Sequence, residues 1–463
     1  MKITIKRTWW GQLAVIGLIV TAVWISLVSD SIFNTSPTPF ILLLPFVWGC
    51  FKGNFHILDS DPALITPKNI MLLIWFHKFI VIPIELLLVG NKILPTYYDN
   101  QTILTEVSIY IVSFVSFLWG WEFKSKGIKI PTFHSPNLTN TLIFIYLTIS
   151  ITSLIILYGS LQKYIEGSFF SYVTQEILEH HSGSPLGLIA NLGQKFWPFG
   201  IMLLWYKTTP TSRPQPSLFT FVFWLPLCMM GILSSNRSNM LYPLLAFMSI
   251  LGAQWKVRYK WKILLVIELG ILILFFFGYI RVQPFLDFQS IETLFKHYVE
   301  DTDYVWFAHQ LYLGSPYQIT PLLHIPPPSS TLLASLLDPV PVMGKDFREQ
   351  SGPYIYNLSF HNYTYVSQDK VIPVAGELFF NGGYLLVFVG HFIFGRGCRW
   401  LNHAFQQTLS INPIVSACFF YLMLLFSATL LLSLSVLVQF FLYNALPALL
   451  IIAVNWLQIR KAS

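Results

Sequence analysis

Charged residues are scarce in this chain of 463 residues: Asp, Glu, Lys and Arg make up 11% of it, where about a quarter is usual for a soluble domain. Hydrophobic residues, by contrast, make up 54%. A soluble domain cannot bury so much apolar surface, so the excess must face lipid. The sequence therefore predicts an all-α integral membrane protein, and we recognise no soluble domain in it.

Cysteine is also rare. Cys50, Cys228, Cys398 and Cys418 show neither a metal-ligand spacing nor a C-x-x-C pair, which argues against a zinc site and against a disulfide framework. Three of them lie in or beside apolar stretches, where Cys behaves as a small hydrophobe. Cys398 falls in a basic segment that is predicted to be a cytoplasmic loop. The net charge is +7, but we find no nucleic-acid-binding motif, and no nucleic-acid partner is expected.

Hydrophobic stretches predict about twelve transmembrane helices, since a helix needs roughly 20 apolar residues to cross the hydrocarbon core of a bilayer. The N-terminal stretch resembles a signal peptide, but no small-x-small cleavage site follows it, and we interpret it as an uncleaved first helix. The predicted spans are 9–29, 38–52, 69–90, 103–121, 138–161, 186–206, 217–235, 238–254, 262–280, 372–394, 413–433 and 437–457.

The distribution of basic residues predicts how these helices are oriented. If the N-terminus is cytoplasmic, the inner segments carry most of the 28 Lys and Arg residues. The short outer segments carry only Lys92, Lys163 and Arg237. This asymmetry follows the positive-inside rule and places both termini in the cytoplasm. The chain is thus predicted to be a single transmembrane domain, 1–463, with one large external loop at 281–371 between the ninth and tenth helices.

Two arginines are predicted at the outer leaflet. Arg237 lies in the tight turn between the seventh and eighth helices, and Arg281 lies where the ninth helix emerges on the same side. A guanidinium group holds phosphate oxygens bidentately, so the pair would suit a lipid diphosphate. Each arginine could instead simply extend towards lipid headgroups. The polar residues that surround Arg237 are Ser234, Ser235, Asn236, Ser238 and Asn239.

The stretch PVAGELFFNGG begins the tenth predicted helix at its outer end. Glu377 lies about one turn into this helix, and Asn381 follows four residues later on the same face. A carboxylate at that depth is costly unless it is paired, which makes Glu377 a candidate functional residue. The alternative is a structural pair with one of the two arginines. In the sixth predicted helix, Lys195 has Asn191 and Gln194 nearby and is the candidate for a polar cavity.

Together these motifs resemble the oligosaccharide repeat-unit polymerases of bacterial surface polysaccharides, the Wzy family. SSNRSNML resembles the family's short G/S-x-R-S/G turn, and GYIRVQP precedes the large loop. DPVPVMGKDF resembles a Pro-rich loop that ends near a Lys, and PVAGELFFNGG resembles the signature P-x-x-x-G-E-x-Y-x-N-x-G. The resemblance covers 225–395 in detail and the rest of the chain only as topology.

The resemblance implies a glycosyltransferase of the bacterial inner membrane that needs neither a metal nor another cofactor. It would transfer a growing glycan from undecaprenyl diphosphate to the next lipid-linked repeat unit. Arg237 and Arg281 would neutralise the departing diphosphate, and Glu377 would accept the proton of the attacking hydroxyl group. A chain-length regulator and a flippase are the implied partners, beside the lipid-linked oligosaccharide and the bilayer. The candidate substrate-binding residues are Ser235, Asn236, Ser238, Asn239, Lys345, Arg348, Asn381 and Lys195.

Three other functions remain open at this point. An O-antigen ligase shares the topology and the arginines but should carry a loop histidine dedicated to its acceptor, which we cannot assign. A polysaccharide flippase should have charged residues deep in many helices and lack a large external loop. A proton-coupled transporter should show paired repeats with broken helices, and the sequence indicates neither.

Overall fold

The computed structural model describes residues 109, 112–113, 115–117, 119–121, 123, 140–160, 162–164, 166, 184–208, 242–243, 246, 328–340, 344–355, 372–429 and 433–462. Within these ranges every regular element is helical and no strand occurs, so the all-α prediction is confirmed for them. The helices are α1 (Asn140–Tyr158), α2 (Pro185–Gln194), α3 (Trp197–Thr208), α4 (Pro328–Leu337), α5 (Gly344–Phe347), α6 (Val374–Thr408), α7 (Pro413–Thr429), α8 (Leu434–Gln439) and α9 (Leu446–Ala462). A 3-10 turn, Arg348–Gln350, follows α5, and a π-helical turn, Phe440–Asn444, connects α8 with α9.

Two helices, α1 with 19 residues and α6 with 35 residues, are long and apolar enough to cross a membrane. α8 and α9 pass the same test only as a pair, which is bent by 51°. On α1, large apolar side chains lie on the surface: Phe144 is 69% exposed and Ile155 is 60% exposed. Such a surface is costly in water and favourable in the hydrocarbon region of a bilayer. The described part of the chain therefore has helices suited to a membrane.

The predicted spans agree with these helices to different degrees. The span 138–161 corresponds to α1, and the described residues of the span 103–121 are helical. The span 186–206 is two helices, α2 and α3, because Lys195 and Phe196 form a turn of tighter hydrogen bonds to Leu192 and Gly193. The spans 9–29, 38–52, 69–90, 217–235 and 262–280, and most of 238–254, lie outside the described residues. The number of twelve helices stays a prediction.

The predicted loop after residue 394 is wrong, because α6 continues through it. Cys398, which was expected in that loop, is fully buried within the helix. The basic residues that indicated a loop instead contact a neighbouring helix. The Arg399 guanidinium donates to the carbonyl oxygens of Trp121 and Phe123 at 2.6 and 3.2 Å, and Arg396 lies 5.1 Å from the centre of the Phe123 ring. These contacts allow both charges to remain on a helix.

α6 packs so closely against the described helical residues between 109 and 121 that the two backbones are in contact. A Cβ atom added to Gly395 would lie 2.1 Å from the carbonyl oxygen of Phe117, and one added to Gly120 would lie 2.1 Å from that of Phe392. Neither position can accept a side chain unless the backbones move apart. These two glycines therefore set the separation of the two helices.

The first turns of α6 fold back onto the rest of the helix. Gly382 and Gly383 leave the helical conformation, and Gly383 has φ 61° and ψ −157°, a region used almost only by glycine. Leu378 Cδ1 lies 2.5 Å from the position of a Cβ added to Gly390, whereas a straight helix would separate these residues by about 18 Å. α6 thus consists of a 374–381 arm and a 384–408 arm, and the predicted span 372–394 is not one straight helix.

The last predicted span, 437–457, is broken as well. Pro447 cannot donate a backbone hydrogen bond, so it interrupts the helical pattern at its own position. Two tyrosine hydroxyl groups satisfy carbonyl oxygens at the break: Tyr421 donates to Asn444 at 3.0 Å, and Tyr146 donates to Pro447 at 2.7 Å. Broken helices, which the sequence did not indicate, are therefore present in two places. α7 packs against α6 and α9, and its residues 413–425 are buried.

Candidate functional site

The 374–381 arm of α6 brings Glu377 into the interior. Val374, Ala375 and Leu378 are buried around it, and Glu377 itself has no exposed surface. Pro373 precedes the arm and suits the start of a helix, since its ring presets the backbone dihedral φ. The first turn can therefore begin immediately after Pro373 and carry a carboxyl group inwards.

The two oxygens of the Glu377 carboxyl group differ in their surroundings. Oε2 accepts a hydrogen bond of 2.9 Å from the backbone N–H of Leu434, at the start of α8. Oε1 is buried and has no hydrogen-bond partner among the described residues. It faces Gly352, where an added Cβ would lie only 2.8 Å away. A buried acceptor without a donor is costly, so Oε1 is the atom of this site that is available to a proton or a ligand.

Hydroxyl and amide groups line the same region. The Ser335 side chain lies beside the Glu377 carboxyl group, and its Oγ accepts a 2.8 Å hydrogen bond from the N–H of Gly352. Thr331 donates to Asn381 Oδ1 at 2.5 Å, and Asn381 Nδ2 donates to the carbonyl oxygen of Glu377 at 2.7 Å. The spacing of Glu377 and Asn381 predicted that they share one helix face, and the two residues are in direct contact there.

A second carboxylate lies at the edge of this cluster. Asp338 Oδ2 accepts a hydrogen bond of 2.9 Å from the Ser435 hydroxyl, and its Oδ1 lies 3.4 Å from Arg348 Nε. Glu377 and Asp338 therefore bind consecutive residues, Leu434 and Ser435. Arg348 is 56% exposed and Asp338 is 18% exposed, so this pair forms the border between the buried cluster and the surroundings.

Sequence reasoning missed Thr331, Ser335 and Asp338. They lie four and three residues apart, which places them on one face of α4 and of the turn that follows it. The segment 328–338 was predicted to be part of the external loop 281–371, although Pro328 at the start of PSSTLLASLL is a signal for a helix start. An i, i+4, i+7 pattern of polar residues on this helix could have identified them.

The structure brings only some of the candidate residues together. Glu377 and Asn381 are in contact, and Arg348 lies at the edge of their cluster through Asp338. Lys345 belongs to α5, which precedes Arg348. Lys195 lies at the break between α2 and α3, and no contact joins it to Glu377 in the part of the chain described. Six candidates lie outside the described residues: Arg237, Arg281, Ser235, Asn236, Ser238 and Asn239.

Comparisons with protein-family models, curated proteins and solved structures find no match for this chain. The resemblance to repeat-unit polymerases therefore stays an expectation from the motifs alone.

Proposed function

We propose that this protein polymerises oligosaccharide repeat units linked to undecaprenyl diphosphate, at the outer face of a bacterial inner membrane. The proposal includes twelve membrane-spanning helices, cytoplasmic termini and an external loop at 281–371. The observation that carries it is Glu377: a fully buried carboxyl group at the start of a broken helix, with one oxygen that has no hydrogen-bond partner among the described residues.

The chemistry requires a proton acceptor at such a place. A sugar hydroxyl group of the acceptor lipid attacks the anomeric carbon of the glycan, and its proton passes to Glu377. The bond between the anomeric carbon and the diphosphate breaks, and the diphosphate leaves with the electron pair. Asn381, Thr331 and Ser335 supply the hydrogen-bonding groups that a sugar ring needs near the carboxyl group.

The departing diphosphate needs positive charge. In this proposal Arg237 and Arg281 neutralise it, because a guanidinium group matches the oxygens of a phosphate. Arg348 and Lys345 belong to the same external side, and Arg348 has an exposed guanidinium group beside the cluster. A flippase delivers the substrate and a chain-length regulator limits the product.

Substitution of Glu377 by Gln tests the proposal. Gln retains the shape and can still accept the hydrogen bond from Leu434, but it does not take up a proton at neutral pH. Cells with Glu377→Gln should accumulate single lipid-linked repeat units, although the protein is inserted normally. Glu349→Gln is the matched control, because Glu349 is an exposed carboxylate of the predicted external loop. Long polymer from Glu377→Gln at equal expression would contradict the proposal.

A transporter of lipid-linked sugars is the second candidate, and the broken helices favour it. Discontinuous helices line the substrate sites of many transporters, and α6 and α8–α9 are both discontinuous. A transporter that is inactivated would leave repeat units at the inner face of the membrane, whereas an inactive polymerase would leave them at the outer face. The accessibility of the accumulated glycan to an impermeant glycosidase distinguishes the two functions.

A further inference from the structure

We propose that residues 328–340 and 344–355, called the cover segment below, close the Glu377 site in this structure and separate from α6 when an acceptor sugar enters. The inference rests on the proposed function, since it concerns how substrate reaches the same carboxyl group. Glu377 is completely enclosed in this structure, but a sugar hydroxyl group must touch it in the proposed reaction.

Gly352 is the part of the cover segment that encloses the base. An added Cβ there would lie 2.8 Å from Glu377 Oε1, so a sugar hydroxyl group cannot enter between them. A general base needs its partner at about 2.6–3.2 Å. The N–H of Gly352 is itself bonded to Ser335, another residue of the cover segment. Gly352 and Ser335 must therefore withdraw together.

The cover segment buries Ala334 and Ile355, and three hydrogen bonds attach it to other elements in the part of the chain described. Thr331 bonds to Asn381 of α6, Asp338 to Ser435 of α8, and the carbonyl oxygen of Pro339 to the Tyr443 hydroxyl. Water or sugar hydroxyl groups can replace hydrogen bonds of this kind at small net cost. Leu333, Glu349 and Gln350 on the cover segment are exposed, so it can move outwards.

The 374–381 arm is the other element that could move, but its contacts oppose this. Leu378 occupies the space next to Gly390, Val374 and Ala375 are buried, and Glu377 is bonded to Leu434. Withdrawal of the arm would expose apolar surface and leave the Leu434 N–H without its acceptor. The cover segment also buries apolar side chains, but its Gly352 faces Oε1, so the cover segment is the element that must withdraw to admit a hydroxyl group.

A reversible disulfide tests this inference. The double variant Asp338→Cys, Ser435→Cys places two thiols where the two side chains now touch, and oxidation then ties the cover segment to α8. The oxidised protein in lipid nanodiscs should lose polymerisation of undecaprenyl-diphosphate-linked repeat units extracted from Glu377→Gln cells. Reduction should restore it. Each single variant is a matched control, and its activity should be the same before and after oxidation.

If the fully cross-linked variant and the wild type are both active, the separation of the cover segment is refuted, but the proposed function is not. A wild type that polymerises nothing would refute the proposed function, and the cover with it. If the reduced double variant is inactive while the wild type polymerises, hydrogen exchange of the wild type tests the separation of the cover segment instead. Peptides from 344–355 should then exchange faster with the extracted lipid-linked repeat units than without them, while peptides from 140–158 stay unchanged. Equal exchange at 344–355 would overturn the inference.

Discussion

The two arms of α6 are held by different kinds of contact. The 374–381 arm is bound through side chains: Glu377 and Asn381 contact groups from α4 and α8. The 384–408 arm is bound in part through the absence of a side chain, since Gly395 lets its backbone approach that of Phe117, and in part through Arg399 and Arg396. The first arm carries groups that can exchange a proton or bind a sugar, and the second provides a rigid attachment. Substitutions in the 374–381 arm should therefore mainly lower activity, and substitutions in the 384–408 arm should mainly lower stability.

The largest effect is expected from Gly352→Ala. The new methyl group would lie 2.8 Å from Glu377 Oε1 and displace the carboxyl group. Loss of a correctly placed general base typically costs about 10²–10⁴ in rate, so long polymer should disappear. The chain-length distribution made from extracted lipid-linked repeat units measures this. Normal polymer from Gly352→Ala would mean that the carboxyl position does not matter to the reaction.

Gly395→Ala should mainly reduce stability. The added Cβ would lie 2.1 Å from a backbone oxygen, and overpacking of this kind costs about 2–3 kcal/mol. The midpoint of thermal unfolding in detergent should fall, while polymerisation per folded molecule stays unchanged. Gly397→Ala is the matched control on the same arm, because its Cβ would meet only the Phe426 ring at 3.4 Å. Equal midpoints for the two variants would contradict the proposed role of Gly395.

Gly383→Ala tests the connection between the arms. Its Cβ would meet no atom within 4 Å, so the only cost is backbone strain at positive φ, about 1–2 kcal/mol. Because the bend positions Glu377, polymerisation should fall together with the unfolding midpoint, unlike in Gly395→Ala. If activity is retained while the midpoint falls, the bend serves stability alone.

The smallest effects are expected from Arg399→Gln and Arg396→Gln. Gln can retain one of the two hydrogen bonds to the carbonyl oxygens of Trp121 and Phe123, so the loss should be about 1 kcal/mol. Arg396→Gln removes only a contact with the Phe123 ring and should cost less, about 0.5 kcal/mol. Both are measured as unfolding midpoints. A larger effect from Arg396→Gln would show that the charge contributes more than the hydrogen bonds.

Part of the site could be predicted from local sequence. The spacing of Glu377 and Asn381 placed them on one helix face, because that relation depends only on the helical repeat. Ser335, Asp338 and Gly352 were not predicted, since nothing near them in the sequence indicates that they meet Glu377 or Ser435. The loop expected at Cys398 was wrong because the carbonyl groups that bind Arg399 lie almost 280 residues earlier in the chain.

Composition and local hydrophobic length were enough to predict helices suited to a membrane, and the described residues include helices of that kind. The sequence also indicated a carboxyl group in the first turn of a helix. The tertiary structure was needed to show that this first turn folds back at Gly383, that α4 packs against it and that one carboxyl oxygen has no donor among the described residues. Those features arise from contacts between residues far apart in the chain, which no local pattern encodes.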